Sequence, residues 1–104
     1  MITSLKDCQK KILENKKMKG FNTTDIKFEL LCLYGEVNEL FQAYLKDDVS
    51  NIAEELADVA IFLLGISEIL NVDLETAIIE KIVVNEKRIY NENGSKLSTP
   101  AKKV

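Results

Sequence analysis

Glu36-Val37-Asn38-Glu39 and Glu55-Leu56-Ala57-Asp58 are the two segments whose reading decides the fold. Residues three apart on an α-helix lie on one face, about 60° apart around the axis. Each segment, if helical, therefore aims two carboxylates in one direction. The link Lys46-Asp47-Asp48-Val49-Ser50 is short and polar, and a link this short makes the flanking helices antiparallel neighbours. The late part of one helix then lies beside the early part of the next, and four carboxylates converge. Like charges that close do not all ionise unless something neutralises them. A hard divalent cation is the simplest neutraliser, because Mg²⁺ prefers carboxylate oxygen and water to nitrogen or sulfur.

The competing reading is solvated helix surface, the ordinary fate of a single Glu-x-x-Glu. Two such pairs flanking a short link are more specific, and Glu55 and Asp58 adjoin the most apolar run of the chain, residues 59–66. Glu54 leaves the ligand choice open at this point, since Glu54 and Asp58 are also one helical turn apart.

Composition narrows the classes. The chain of 104 residues predicts one domain, with 46% hydrophobic and 30% charged residues, one Pro and four Gly, a mix that favours an all-helical fold. The net charge of -3 is unevenly spread. Residues 25–58 hold nine acids against Lys27 and Lys46, whereas residues 1–24 hold six Lys against Asp7 and Glu14. An acidic central face argues against nucleic-acid binding, which needs a basic one, and suits a cation brought in with an anionic ligand. His is absent, which removes His-dependent triads, the usual zinc sites and Glu-x-x-His di-iron sites. Cys8 and Cys32 lack metal-ligand spacing and read as free thiols. No leader-like segment is evident and the run 59–66 is too short to span a bilayer, so a cytoplasmic protein without membrane contact is expected.

In chain order, Ser4 predicts a cap with Asp7 in the capping-box position, and a first helix over residues 5–19 that Gly20 ends. Asn22-Thr23-Thr24-Asp25 starts a second over 24–45. It carries too many apolar residues for one narrow stripe, as a bundle centre or subunit interface requires, and Glu29 prolongs its acidic line. Ser50 is the expected cap of a third helix reaching Leu70, its run 59–66 sandwiched or shared with a second subunit. Asp73 is the expected cap of a fourth over 74–91. The folded domain is expected over 1–93 and a mobile tail over 94–104.

On the fourth helix, Leu74, Ala77, Ile78, Lys81, Asn85 and Arg88 share a face that turns from apolar to basic and amide. A solvated face is the plain reading. The functional one is a phosphate clamp, with Lys81 as point charge, Arg88 as bidentate fork and Asn85 as orienting donor. The two readings of acids and bases complement each other, since a nucleoside triphosphate brings Mg²⁺ to carboxylates and oxygens to cations.

Glu36-x-x-Glu39, the spacer, Glu55-x-x-Asp58 and then Lys81-x-x-x-Asn85-x-x-Arg88 together resemble the MazG-like, all-α nucleoside triphosphate pyrophosphohydrolases. Lys19-Gly20-Phe21 and Glu54-Glu55-Leu56-Ala57-Asp58-Val59 are also similar to that family, and the resemblance spans about residues 12–90. It implies an antiparallel four-helix bundle completed by oligomerisation into a homodimer or homotetramer. It also implies Mg²⁺-dependent hydrolysis of a nucleoside triphosphate to monophosphate and pyrophosphate, in nucleotide-pool cleansing or control. By this resemblance Glu36, Glu39, Glu55 and Asp58 hold Mg²⁺ (or Mn²⁺ in its place), with Glu54 behind them or at the surface. Glu39 and Glu36 act in catalysis, Glu39 as acceptor of the water proton. Lys81 and Arg88 stabilise the departing pyrophosphate, and Asn85 holds phosphate or sugar. Related enzymes often stack Trp on the base; this chain has none, and Phe21, Phe28, Tyr34 and Tyr90 are either stacking platforms or core. The alternative is a catalytically silent MazG-like module for nucleotide sensing or dimerisation.

Overall fold

Four helices carry the computed structural model, which describes residues 1–90 and 96–98. They are α1 (Leu5–Met18), α2 (Ile26–Leu45), α3 (Val49–Ile69) and α4 (Leu74–Lys87), so the all-α expectation holds. A short antiparallel pair follows, β1 (Ile89–Tyr90) with β2 (Lys96–Ser98). The expected mobile tail falls partly here: Lys96–Ser98 form β2, whereas residues 94, 95 and 99–104 lie outside the described residues.

Polar side chains start the helices, as orphaned N–H groups at a first turn demand. Ser4 accepts from the Asp7 N–H (3.1 Å), and the Asp7 carboxylate takes the N–H (3.1 Å) and hydroxyl (2.8 Å) of Thr3. α2 begins two residues later than expected because Asp25 accepts from the Phe28 N–H (3.1 Å). α3 begins earlier, since Asp48 rather than Ser50 is its cap, accepting from the Asn51 N–H (3.3 Å). Asp47 takes φ 53° just before it, the left-handed residue that closes α2. α4 stops at Lys87, short of the expected Asn91: the Arg88 N–H turns back to the Asn85 carbonyl (3.2 Å), and Ile89 and Tyr90 go into β1.

The chain divides into two compact units, Met1–Leu74 and Glu75–Val104. In the first, α3 is the central helix, packed on α2 along one side and on α1 along another. Gly65 lets α1 come close: a Cβ there would stand 3.3 Å from the Ile12 Cγ2. Gln9, 1% exposed, ties α1 to the end of α3. Its amide donates to the Val72 carbonyl (2.8 Å) and Glu68 Oε1 (3.2 Å), and its oxygen accepts from the Leu74 N–H (3.0 Å).

Among the described residues only Ala43, Leu64 and Ile66 are buried hydrophobics. Leu30, Tyr34, Val37, Phe41 and Tyr44 on α2 stay exposed, as do Val49, Leu56, Leu63 and Leu70 on and just beyond α3. The first set recurs at alternating four- and three-residue steps and the second at seven, which are the periods of helix-to-helix seams. Within the run 59–66 only its last three residues, Leu64, Gly65 and Ile66, are buried.

Candidate functional site

The tight link between α2 and α3 sets the level of every residue along the pair. In an antiparallel hairpin, positions equidistant in sequence from the turn lie side by side. Glu36 and Asp58 are equidistant from Asp47, and so are Glu39 and Glu55. The two Glu-x-x-Glu/Asp segments therefore face each other.

Glu36, Glu39 and Glu55 each present a carboxylate oxygen within 4.8 Å of the other two. Asp58 is exposed and outside that tightest set, yet near enough for its charge to act on both Glu36 and Glu55. Burial pushes the Glu36 carboxyl up to about 7, helped by a hydrogen bond with Glu39 and by the charges of Glu39, Asp58 and Glu55. Glu55 is raised too, first by burial and then by the charges of Glu39 and Asp58. Oε2 of Glu36 and Oε2 of Glu55 are shielded from solvent with no hydrogen-bond partner. Shielded carboxylate oxygens without donors are costly. A cation would relieve both the repulsion and the missing contacts, and an all-oxygen donor set suits a hard one. Glu54 is exposed and bears on Glu55 only through its charge.

Glu29 departs from the expected acidic line. It lies one heptad before Glu36 on α2 but is only 3% exposed and is not among the converging carboxylates. Lys16 of α1 donates to its Oε1 (2.5 Å) and the Asn22 amide to its Oε2 (3.1 Å). The Lys16 side chain is 14% exposed, and its ammonium stands 5.8 Å from the centre of the Phe62 ring. This pair forms one wall of a cavity of about 390 Å³, closed elsewhere by Lys11, Ile12, Asn15, Phe21, Ile61, Phe62 and Gly65. Sequence reasoning missed the pair because its members sit on different helices. Helical periodicity shows which residues share one helix face, not which residue of another helix meets it.

The basic face lies on the second unit, and there the structure joins Asn85 to Arg88: the Asn85 Oδ1 accepts from Arg88 Nη1 (3.1 Å). Arg88 Nε is shielded and has no hydrogen-bond partner. Lys81 is exposed on α4. Of the aromatic residues expected as platforms or core, Phe21, Phe28 and Tyr34 are each more than half exposed, and Phe21 lines the cavity. The Tyr90 side chain lies outside the described residues. Both cysteines are free thiols, and among the described residues no helix is long and apolar enough to cross a membrane.

A family model for the MazG-like family matches residues 24–103. A stretch of 68 residues is 38% identical to a protein of Salmonella phage PMBT28 named dATP/dGTP diphosphohydrolase. That stretch covers 64% of this chain and 22% of the phage protein, so the chain spans under a quarter of that relative's length. No solved structure matches the chain significantly.

Proposed function

Because this chain belongs to the MazG-like family, as the match over residues 24–103 shows, we propose that it hydrolyses a nucleoside triphosphate to the monophosphate and pyrophosphate. The observation that carries the reading is the meeting of Glu36, Glu39 and Glu55, two of them with shielded oxygens that lack donors. Glu36, Glu39, Glu55 and Asp58 would hold Mg²⁺, with Mn²⁺ an acceptable substitute for an oxygen-only set. When bound, such a cation neutralises triphosphate charge and acidifies the water that attacks the α-phosphorus.

The chain's own groups do the rest. Glu39, the exposed one of the three converging glutamates, would take the proton of the attacking water. Glu36, shielded at Oε2, fixes the cluster from the inner side. Arg88, held by Asn85 at its Nη1, presents a planar fork suited to phosphate oxygens, and Lys81 supplies a point charge for the departing pyrophosphate.

A second copy of the chain completes this picture. Tyr34 and Tyr44 are 75% and 70% exposed, on a helical seam with the spacing that packs against another helix. Apolar exposure on this scale marks an interaction site. We infer a homodimer or homotetramer built on α2 and α3.

Product analysis tests the activity. The purified chain is given dNTPs and NTPs with Mg²⁺ or with EDTA, beside a Glu39→Gln variant. Monophosphate plus pyrophosphate, lost with EDTA and in the variant, is the expected result. Diphosphate plus orthophosphate would place the attack at the wrong phosphorus, and no turnover at all would favour a sensing module. Sedimentation analysis tests the assembly, and a monomer at micromolar concentration would overturn it.

A further inference from the structure

Beside the carboxylates, the cavity bounded by α1, the start of α2 and α3 has a chemistry of its own. Both oxygens of Glu29 are already engaged, one by Lys16 and the other by Asn22. The Lys16 ammonium has three N–H donors and no acceptor, and spends one on Glu29. The polar feature that remains on this wall is therefore a hydrogen-bond donor, set against the apolar surfaces of Phe62, Ile61 and Phe21. Lys11 and Asn15 also line the cavity but are exposed, at its rim; apolar walls with one inner, directed polar group are the form that small flat ligands need. Stability alone gives little reason for the pair, because a buried ion pair is often no more stabilising than well-packed apolar side chains.

Position connects the cavity to the carboxylates. Glu29 is one heptad before Glu36, about 10 Å along the α2 axis at 1.5 Å per residue. Gly65 is equidistant with Glu29 from Asp47, so this wall of the cavity lies along the same helix pair as Glu36 and Asp58. That separation is one a nucleotide can span between its phosphate and the far edge of its base.

We propose that Lys16 reads the base of the substrate and selects 6-oxopurines, guanine or hypoxanthine, by donating to the adjacent O6 and N7 acceptors. This rests on the nucleotide-hydrolase reading above and adds the residue that sets base preference. Guanine places two acceptors side by side where lysine can bridge them. Adenine puts an amino donor in place of O6, facing a group that can only donate. Pyrimidines lack the paired acceptors on that edge. Glu29 is a positioning residue: it holds the ammonium at the wall, while Gly65, by having no side chain, leaves room beside the Lys16 stem.

The test is kcat/KM for dGTP, dITP, dATP, dCTP and 7-deaza-dGTP in wild type, Lys16→Met and Lys16→Arg. Wild type should prefer dGTP and dITP to dATP by about tenfold or more, the range of one good bidentate base contact. 7-Deaza-dGTP, lacking N7, should fall between them. Lys16→Met should bring the dGTP/dATP ratio close to one, and Lys16→Arg should keep it, a pattern that general loss of folding does not produce. Equal rates for dGTP and dATP in wild type, or an unchanged ratio in Lys16→Met, would overturn the proposal. If no nucleotide is hydrolysed, NMR titration of the same metal-free chain with deoxyguanosine and deoxyadenosine still decides. Preferential deoxyguanosine binding that shifts Phe21 and Phe62 upholds the base reading while the hydrolase reading fails; equal binding, or none, sinks it.

Discussion

Glu29 and Glu36 stand one heptad apart on the same helix, and their surroundings differ in kind. Glu29 is nearly sealed from solvent, and both its oxygens have donors within the chain. Glu36 is less buried, has other acids as its nearest charged neighbours and keeps Oε2 unpartnered. The first carboxylate is complete as folded. The second is complete only with something added, which is how a ligand site differs from a structural contact made of the same residue type. The difference teaches that exposure alone does not mark a functional acid; its unmet contacts do.

Hydrolysis should separate the two most sharply. Glu36→Gln, Glu39→Gln and Glu55→Gln are each expected to lower kcat/KM by at least about a hundredfold, the upper end of what losing a supporting contact at a metal site costs. A steady-state assay on a folded variant checks this, and near-normal rates in any of the three would remove that residue from the site.

Stability should rank them in the opposite order. Glu29→Ala leaves the Lys16 ammonium largely buried without its partner, and breaking one side of a buried pair typically costs about 3–5 kcal/mol. The residual exposure of Lys16 puts the expected loss at the lower end of that range. Glu36→Gln removes a disfavoured charge and is expected to leave the metal-free protein as stable or slightly more so. Urea melts of the two variants side by side make the comparison, and equal losses would erase the distinction drawn above.

Mg²⁺ is expected to raise the melting temperature of wild type, by a stabilisation of about 2.7 kcal/mol at a hundred times its dissociation constant. The rise should disappear in Glu36→Gln. Conventional salt at equal ionic strength is the control, since screening alone acts on surface charges of any kind.

The smallest effect is in pH. Glu36 is held up to about 7, above its ordinary 4.5. The cost of its charge in the folded protein is therefore present above about 7 and is relieved as pH falls toward 4.5. Metal-free wild type should gain this increment of stability on acidification through that window, and Glu36→Gln should lack it. Added Mg²⁺ should reverse the trend, because cation and proton compete for the same oxygens.

Much of this arrangement is legible in the sequence because it is local. Helix count, the short polar link and the facing of Glu36-x-x-Glu39 with Glu55-x-x-Asp58 follow from periodicity and loop length, and the structure brings Glu36, Glu39 and Glu55 together. Cap identity is less legible: Asp48 and Ser50 are comparable caps, and what separates them is Asp47 adopting a left-handed conformation ahead of the helix. Glu29 is illegible, because its partner comes from α1 and no spacing rule relates the two. The apolar richness of α2 is visible at once, but its cause is not: periodicity is the same for a buried centre and for a subunit interface, and only the structure shows that Tyr34, Phe41 and Tyr44 stay exposed within the single chain.

The Gln9 tie has a consequence for the order in which the chain folds. Its three hydrogen bonds span separations of 59, 63 and 65 residues, whereas α2 and α3 meet across a short turn. Closing so long a loop is entropically harder than closing the hairpin, so α2–α3 is expected to pair first and α1 to dock late. Gln9→Ala should then leave the refolding rate almost unchanged and accelerate unfolding, the signature of a contact absent from the transition state. The cavity, which needs α1 for one wall, would be the last feature of the first unit to form and the first to be lost.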